Sequence, residues 1–172
     1  MRTLALIALV ALAACREEEA KAPPAPVELT EAALSYFCQM NVAEHGGPKG
    51  QIHLDGYPAP IFFAQVRDLV TYLKSPEREA EITAVYVSDM GAAVSWAEPG
   101  SMNWTPANTA LFVVGAGVAG GMGAPELVPF ADQTAAEAFV ARYGGRILSL
   151  DDIPEAEVLG PVDLNQTLQN PA

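Results

Sequence analysis

The order of apolar patterns along the chain predicts an α+β fold of two tandem ββαβ-type units, with mixed or antiparallel sheets and one helix per unit. Three observations carry this. Between residues 49 and 87 the chain reads strand, strand, helix, strand. Between residues 109 and 150 the same order returns. Each helix also follows the same pair of residues, Phe63-Ala64 in the first half and Phe130-Ala131 in the second. A two-residue match is slight, and the repeated element order is what gives it weight.

The elements follow in chain order. Residues 1–14 have the layout of a secretory leader: Arg2 is the positive start, and residues 4–14 are an apolar run too short to span a bilayer. The run ends in Leu12-Ala13-Ala14-Cys15, which resembles the bacterial lipobox. That resemblance implies removal of residues 1–14, a diacylglyceryl group on Cys15, and firm anchoring by several acyl chains facing the periplasm. The alternative is an ordinary leader with a chance cysteine. Arg16 stands where Asp would signal inner-membrane retention, which favours the outer membrane. Residues 15–30 are charged and then rich in Ala and Pro, a stiff composition without core residues, expected to be a tether lifting the domain off the lipid.

The first unit is expected over residues 31–105. Residues 30–37 form a turn or strand leading into Cys38, and residues 49–54 alternate as a strand closed by the turn Asp55-Gly56. Residues 59–63 are a second strand. Val66, Leu69, Val70 and Leu73 have helical spacing over residues 64–73, ended by Ser75-Pro76. Residues 82–87 are β-branched and form the third strand. The second unit is expected over residues 106–156, with strands at 109–114 and 126–130 joined by the flexible run 115–123. Thr134-x-x-Glu137 resembles a capping box opening a helix, Gly144-Gly145 ends it, and residues 146–150 are the returning strand. Residues 157–172 are polar, carry Pro161 and Pro171, and are expected to be a loose tail.

The formal net charge is −12, and loss of Arg2 with the leader makes the mature chain more acidic still. Nucleic acid and anionic lipid require clustered Lys and Arg, so neither is an expected partner. Of the two cysteines, Cys15 is consumed by lipid, which leaves Cys38 without an internal disulfide partner in an oxidising compartment. Such a thiol calls for metal binding, reactivity or burial as its reason.

Cys38 and Met40 put a thiolate and a thioether two residues apart. Soft sulfur donors select Cu(I), whereas Zn(II) prefers thiolate with imidazole. The alternative is a buried Cys38 with Met40 filling a gap in the core. Met122 lies in Gly-Gly-Met-Gly, where its neighbours have no side chains to bury it, which suits a soft ligand on a loop. His45 follows Met40 on a glycine-rich loop and is a candidate accessory ligand. His53 lies in a presumed strand opposite Ile52 and Leu54 and is expected to face solvent. Met90 and Met102 are explained by packing or loop contacts. No Ser-His-Asp order, no Gly-Lys-Thr phosphate loop and no HExxH is present.

With the lipobox, Cys38-x-Met40, Trp104, Met122-Gly123, Pro129-Phe130-Ala131 and Gly144-Gly145, the chain resembles the NosL family, copper lipoproteins that accompany nitrous oxide reductase assembly. The resemblance runs from the lipobox to about Ile153. It implies tandem ββαβ units binding one Cu(I), with the family's ligands falling on Cys38, Met40 and Met122. It also implies delivery through the NosD part of a NosDFY-type membrane complex, and so indirectly to nitrous oxide reductase. Many members carry a second cysteine before the thiol. Tyr36-Phe37 occupies that stretch here, which leaves one thiolate and favours a Cys-Met-Met or Cys-Met-His site over a Zn(II) site. Transfer is then ligand exchange, with no catalysis. Two other readings stand beside it: a lipoprotein that docks on a membrane complex without metal, and an organomercurial-lyase-like enzyme, whose chemistry needs paired thiols that this chain lacks.

Overall fold

The computed structural model describes residues 22–163, 165 and 167–171; the expected leader and Cys15 lie outside them. The first sheet grows around β1 (Gly50–Leu54). It pairs antiparallel with β2 (Ile61–Phe63) on one side and with β3 (Ile82–Ser88) on the other. Helix α1 (Val66–Lys74) connects β2 to β3, and β4 (Trp104–Pro106), which the sequence pattern does not announce, pairs with the outer edge of β3. The strand order is β2-β1-β3-β4.

The second unit repeats the first three strands of that order. β5 (Leu111–Val114) is central, with β6 (Val128–Phe130) and β7 (Arg146–Leu148) antiparallel on its two sides. Helix α2 (Gln133–Tyr143) joins β6 to β7. The expected ββαβ repeat is thus present, with all strand pairs antiparallel. One detail differs. The α2 cap is Asp132, whose carboxylate accepts from the Ala135 N–H at 3.0 Å, and not Thr134, which already lies inside the helix. An Asp in extended conformation ahead of the first turn satisfies the free N–H groups that a residue within the turn does not reach.

The units share one core. Ile52, Phe63, Val66 and Leu69 of the first unit pack in the same cluster as Phe112, Val114 and Leu127 of the second. A short third helix, α3 (Glu155–Leu159), adds Val158 to it. The Arg67 side chain on α1 donates to the carbonyls of Glu157, Val158 and Gly160, the acceptors that α3 leaves open at its C-terminal end. Gln169 pairs with the chain at Gly117 and Ala119. The stretch expected to be a loose tail from residue 157 is therefore tied to the body at both places. Among the described residues no helix is long and apolar enough to cross a membrane.

β1 is buried on both faces. Ile52 and Leu54 face the core, while Gln51 and His53 lie beneath residues 22–29, here termed the strap. Gln51 grips the strap in both directions: its Oε1 accepts from Val27 N–H and its Nε2 donates to the Val27 carbonyl, each at 2.9 Å. The Tyr86 hydroxyl donates to the Pro24 carbonyl at 2.8 Å, and Leu29 N–H to the Ser101 carbonyl at 2.9 Å. Residues 24–29, expected to belong to a free tether, thus lie along the sheet, and His53 is buried rather than solvent-facing. The alternation of residues 49–54 marked which side chains oppose the core, but not that the chain's own beginning would cover them.

Burial holds the His53 imidazole below its ordinary value of 6.5. The unfolded ring therefore takes up a proton before the folded one, so the strapped fold loses stability as pH falls below about 6.5 and gains nothing above it. The protection factors of the Val27 and Leu29 amides, corrected for the intrinsic pH dependence of exchange, should fall between pH 7.5 and 5.5, and His53→Gln should flatten that response. Unchanged protection of the strap in the wild type would contradict this account.

Candidate metal centre

The amino end of α1 is the meeting point. Residues 34–41 form a tight loop on one side of it: Leu34 bridges Asn41, and Ser35 N–H donates to the Met40 carbonyl at 2.9 Å. Between Cys38 and Met40 the chain reverses at Gln39, which holds φ 56°, a left-handed conformation that costs a non-glycine residue roughly 1 kcal/mol. The Gln39 side chain offsets this by donating to the Tyr36 carbonyl at 2.7 Å and the Ser35 carbonyl at 3.3 Å. The loop is seated by Ser35, whose hydroxyl accepts from Ala64 N–H at 3.2 Å, and by Tyr36 N–H donating to the Phe62 carbonyl. Cys38 is half-buried and Met40 is 45% exposed.

The second loop arrives from the other unit. The expected flexible run is a closed hairpin: Glu126 N–H donates to the Val118 carbonyl, Gly120 N–H to Ala124 and Gly123 N–H to Gly120. Met122 stands at its tip, 39% exposed, with its backbone N–H donated to Gln65 Oε1 at 3.2 Å. Gly121 comes so close to the first unit that a Cβ there would sit 2.7 Å from the His45 Cβ and 3.0 Å from the Ala64 carbonyl oxygen, which only glycine allows.

The hairpin is pinned by Glu126. Gln65 occupies the cap position of α1 but makes no capping bond of its own. Instead, Glu126 Oε1 accepts from Arg67 N–H and from Leu127 N–H, both at 2.9 Å, so one unit caps the helix of the other. Oε2 has no hydrogen-bond partner among the described residues. Burial pushes this carboxyl up to about 8, against the pull of its two backbone donors and of Lys49. Lys49 is as deeply buried, its ammonium donating to the carbonyls of Gly46 at 3.0 Å and Ala64 at 3.1 Å, and burial brings it down to about 8.

His45 follows the one-turn 3-10 segment Val42–Glu44. Its Nδ1 lies 3.1 Å from the Gly121 carbonyl. A carbonyl only accepts, so the neutral ring carries its proton on Nδ1 and keeps its lone pair on Nε2, a buried nitrogen without a partner among the described residues. Metal-bound imidazoles are commonly oriented in this way. The loop bearing Cys38 and Met40 is thus bonded to Ala64 through Ser35, the hairpin bearing Met122 is bonded to Gln65, and His45 is bonded to that hairpin at Gly121. His53 is under the strap. Among the described residues no group of three His, Cys, Asp or Glu side chains is gathered for a metal. Sequence reasoning passed over Ser35, Gln39, Lys49, Gln65 and Glu126. Glu126, a charged residue in the otherwise apolar run 125–130, was the available signal for one of them.

Fold and loops define a class: a small two-unit ββαβ domain presenting one thiol and two thioethers on loops anchored at a shared helix end. The chain belongs to the NosL family, whose profile matches residues 26–158. It is 50% identical over 161 residues to the copper-binding lipoprotein NosL of Achromobacter cycloclastes, covering 93% of this chain and 83% of that protein. It is 31% identical over 155 residues to the copper-binding lipoprotein NosL of Stutzerimonas stutzeri, covering 89% and 79%. The crystal structure of the copper chaperone NosL from Shewanella denitrificans superposes with a TM-score of 0.72 at 32% identity, over 78% of this chain and 99% of that one. These relatives are named for binding or carrying copper, not for catalysis.

Glu126→Ala should destabilise the fold by about 2–4 kcal/mol, because it removes a helix cap and leaves two buried N–H groups unsatisfied. Glu126→Gln keeps an oxygen for both donors and should cost far less at pH 6. The raised folded-state value means that the unfolded carboxyl ionises from about 4.5 while the folded one keeps its proton to about 8. Wild-type stability should therefore fall relative to the Gln variant as pH rises through that window. Denaturant titrations at pH 5 and pH 8.5 decide it, and parallel pH profiles for the two proteins would refute the buried-acid assignment.

Proposed function

We propose that this chain is a copper chaperone lipoprotein of the cell envelope. Lipid on Cys15 anchors it facing the periplasm, in the outer membrane by the argument from Arg16. Cys38, Met40 and Met122 hold one Cu(I), with His45 as an accessory ligand, and hand it on for maturation of nitrous oxide reductase through the NosD part of a NosDFY-type membrane complex. The names of the relatives support copper as the metal and lipid as the anchor. The observation that carries the reading is the seating of both sulfur-bearing loops on one turn, Ala64–Gln65, by Ser35 and by the Met122 backbone.

The chemistry is consistent with transfer. One thiolate with two thioethers is a soft, low-charge donor set that suits Cu(I) and holds hard cations poorly. Half-exposed thioethers let an incoming donor displace one ligand at a time, so copper moves through shared-ligand intermediates and is never released to solvent. Cleavage of a carbon–mercury bond needs a second thiol, and Cys38 is the one free cysteine among the described residues.

Reduced protein titrated anaerobically with Cu(I) against a competing chelator should take up one equivalent, and Cys38→Ser should lower the affinity by at least an order of magnitude. Met40→Ala and Met122→Ala should each remove one sulfur scatterer from the X-ray absorption spectrum. An absence of Cu(I) binding favours the docking lipoprotein without metal. An unchanged first shell in a Met variant removes that residue from the site.

A further inference from the structure

The loop that carries Cys38 is tied to the body mainly through its first residues, Ser35 and Tyr36, which bond to Ala64 and Phe62. Among the described residues, no backbone group of residues 37–40 bonds outside the loop. The remaining grip is aromatic. Tyr36 packs edge-on to Tyr72 of α1 with ring centroids 5.4 Å apart, and Phe37 edge-on to Phe63 at 5.7 Å. Apolar contact is largely non-directional and leaves the tip of a ring free to slide.

The tip of Tyr36 is fixed by one carboxylate. Glu79, in the connection between α1 and β3, accepts the Tyr36 hydroxyl on Oε1 and the Tyr72 hydroxyl on Oε2, the latter at 2.6 Å. It thereby joins the loop to the last turn of α1, 43 positions along the chain from Tyr36. The phenols, Tyr36 foremost, hold the Glu79 carboxyl below its ordinary value, so it is ionised at neutral pH and accepts from both. No cation competes for it. Arg78, which lines a cleft with Tyr36, Phe37 and Glu79, donates to the Leu73 carbonyl at 2.6 Å, and the one ion pair among the described residues is Arg146–Glu157.

We propose that Glu79 is a positioning residue for the metal site, its hold on Tyr36 keeping the Cys38 loop in its closed shape before copper arrives. This rests on the copper reading above. Cys38 and Met40 flank Gln39, whose left-handed turn is closed by side-chain bonds to the carbonyls of Ser35 and Tyr36. Tyr36 thus serves that turn with its backbone and Glu79 with its hydroxyl, so a shift of Tyr36 carries the turn with it. Without Glu79, copper would have to order the loop as it binds, and that ordering would be subtracted from the affinity. Glu79 supplies no donor atom to the ion and acts through Tyr36.

The full chain, reduced and kept anaerobic, tests this in metal-free and Cu(I)-loaded form with Glu79→Ala, Glu79→Gln and Tyr36→Phe. In the metal-free state the Gln39 amide, which donates to the Ser35 carbonyl at 2.8 Å, should lose protection in Glu79→Ala and Tyr36→Phe while the amides of β1 keep theirs. Cu(I) loading should restore it. Cu(I) affinity should fall about three- to ten-fold in either variant, with no further loss when the two are combined. Glu79→Gln, which keeps an acceptor oxygen, should recover part of the loss, and the sulfur scatterers in the X-ray absorption spectrum should be those of the wild type. Wild-type protection of Gln39 in both variants overturns the inference. Lost protection with wild-type Cu(I) affinity overturns the role at the metal and leaves the copper reading intact. Additive losses in the combined variant overturn the assignment to the Tyr36–Glu79 bond. Failure of the wild type to take up Cu(I) sinks the copper reading and this role together, whatever Gln39 shows.

Discussion

A single buried carboxyl joins the two halves of this molecule. The first turn of α1 has N–H groups with no partner in their own helix, and Gln65 directs its side chain elsewhere, to Asp68 and to the Met122 backbone. Glu126 supplies the missing acceptor from the other unit. Its burial is costly for an ionised group, and two backbone donors together with the nearby Lys49 ammonium offset that cost only in part, as the raised proton affinity shows. The same contact fixes where the glycine hairpin lands. The Met122 N–H on Gln65 and the Gly121 carbonyl on His45 tie the same hairpin to the first unit, beside the turn that seats the Cys38 loop.

The division of labour around that contact is consistent. Anchoring groups are buried: Ser35, Lys49, Glu126 and the Ala64 backbone. The soft side chains at the loop tips, Met40 and Met122, are exposed. Backbone position is thus set by hydrogen bonds inside the protein, while thioether rotamers stay free to change partners. His45 belongs to both sets, one nitrogen committed to Gly121 and the other uncommitted.

Much of the architecture was legible in the residues. The two ββαβ orders, the first helix, read over 64–73 and found at Val66–Lys74, and the Gly144 stop follow from apolar period and turn chemistry, which are local signals. The resemblance carried by Cys38-x-Met40 and the Met122–Ala131 block pointed to the right family. What escaped the sequence was long-range. Nothing near Glu126 says that it caps a helix 59 positions away, and nothing in residues 22–29 says that a proline-rich stretch will cover His53. The Thr134–Glu137 spacing fits a capping box, yet Asp132 holds the better position by two residues. Gln39 gives no warning of its left-handed turn, because its side-chain bonds to Ser35 and Tyr36 exist only once the loop has closed.

The partners of Arg67 have a bearing on how the chain reaches this state. Its amide waits for residue 126 and its guanidinium for residues 157–160. A polypeptide emerging amino end first therefore presents α1 long before either stabilising group has appeared. The first unit spends that interval with an open helix end and an uncovered apolar face, the kind of exposed surface that makes partly folded chains prone to aggregate. Both sets of bonds can close only once the last third of the chain is present.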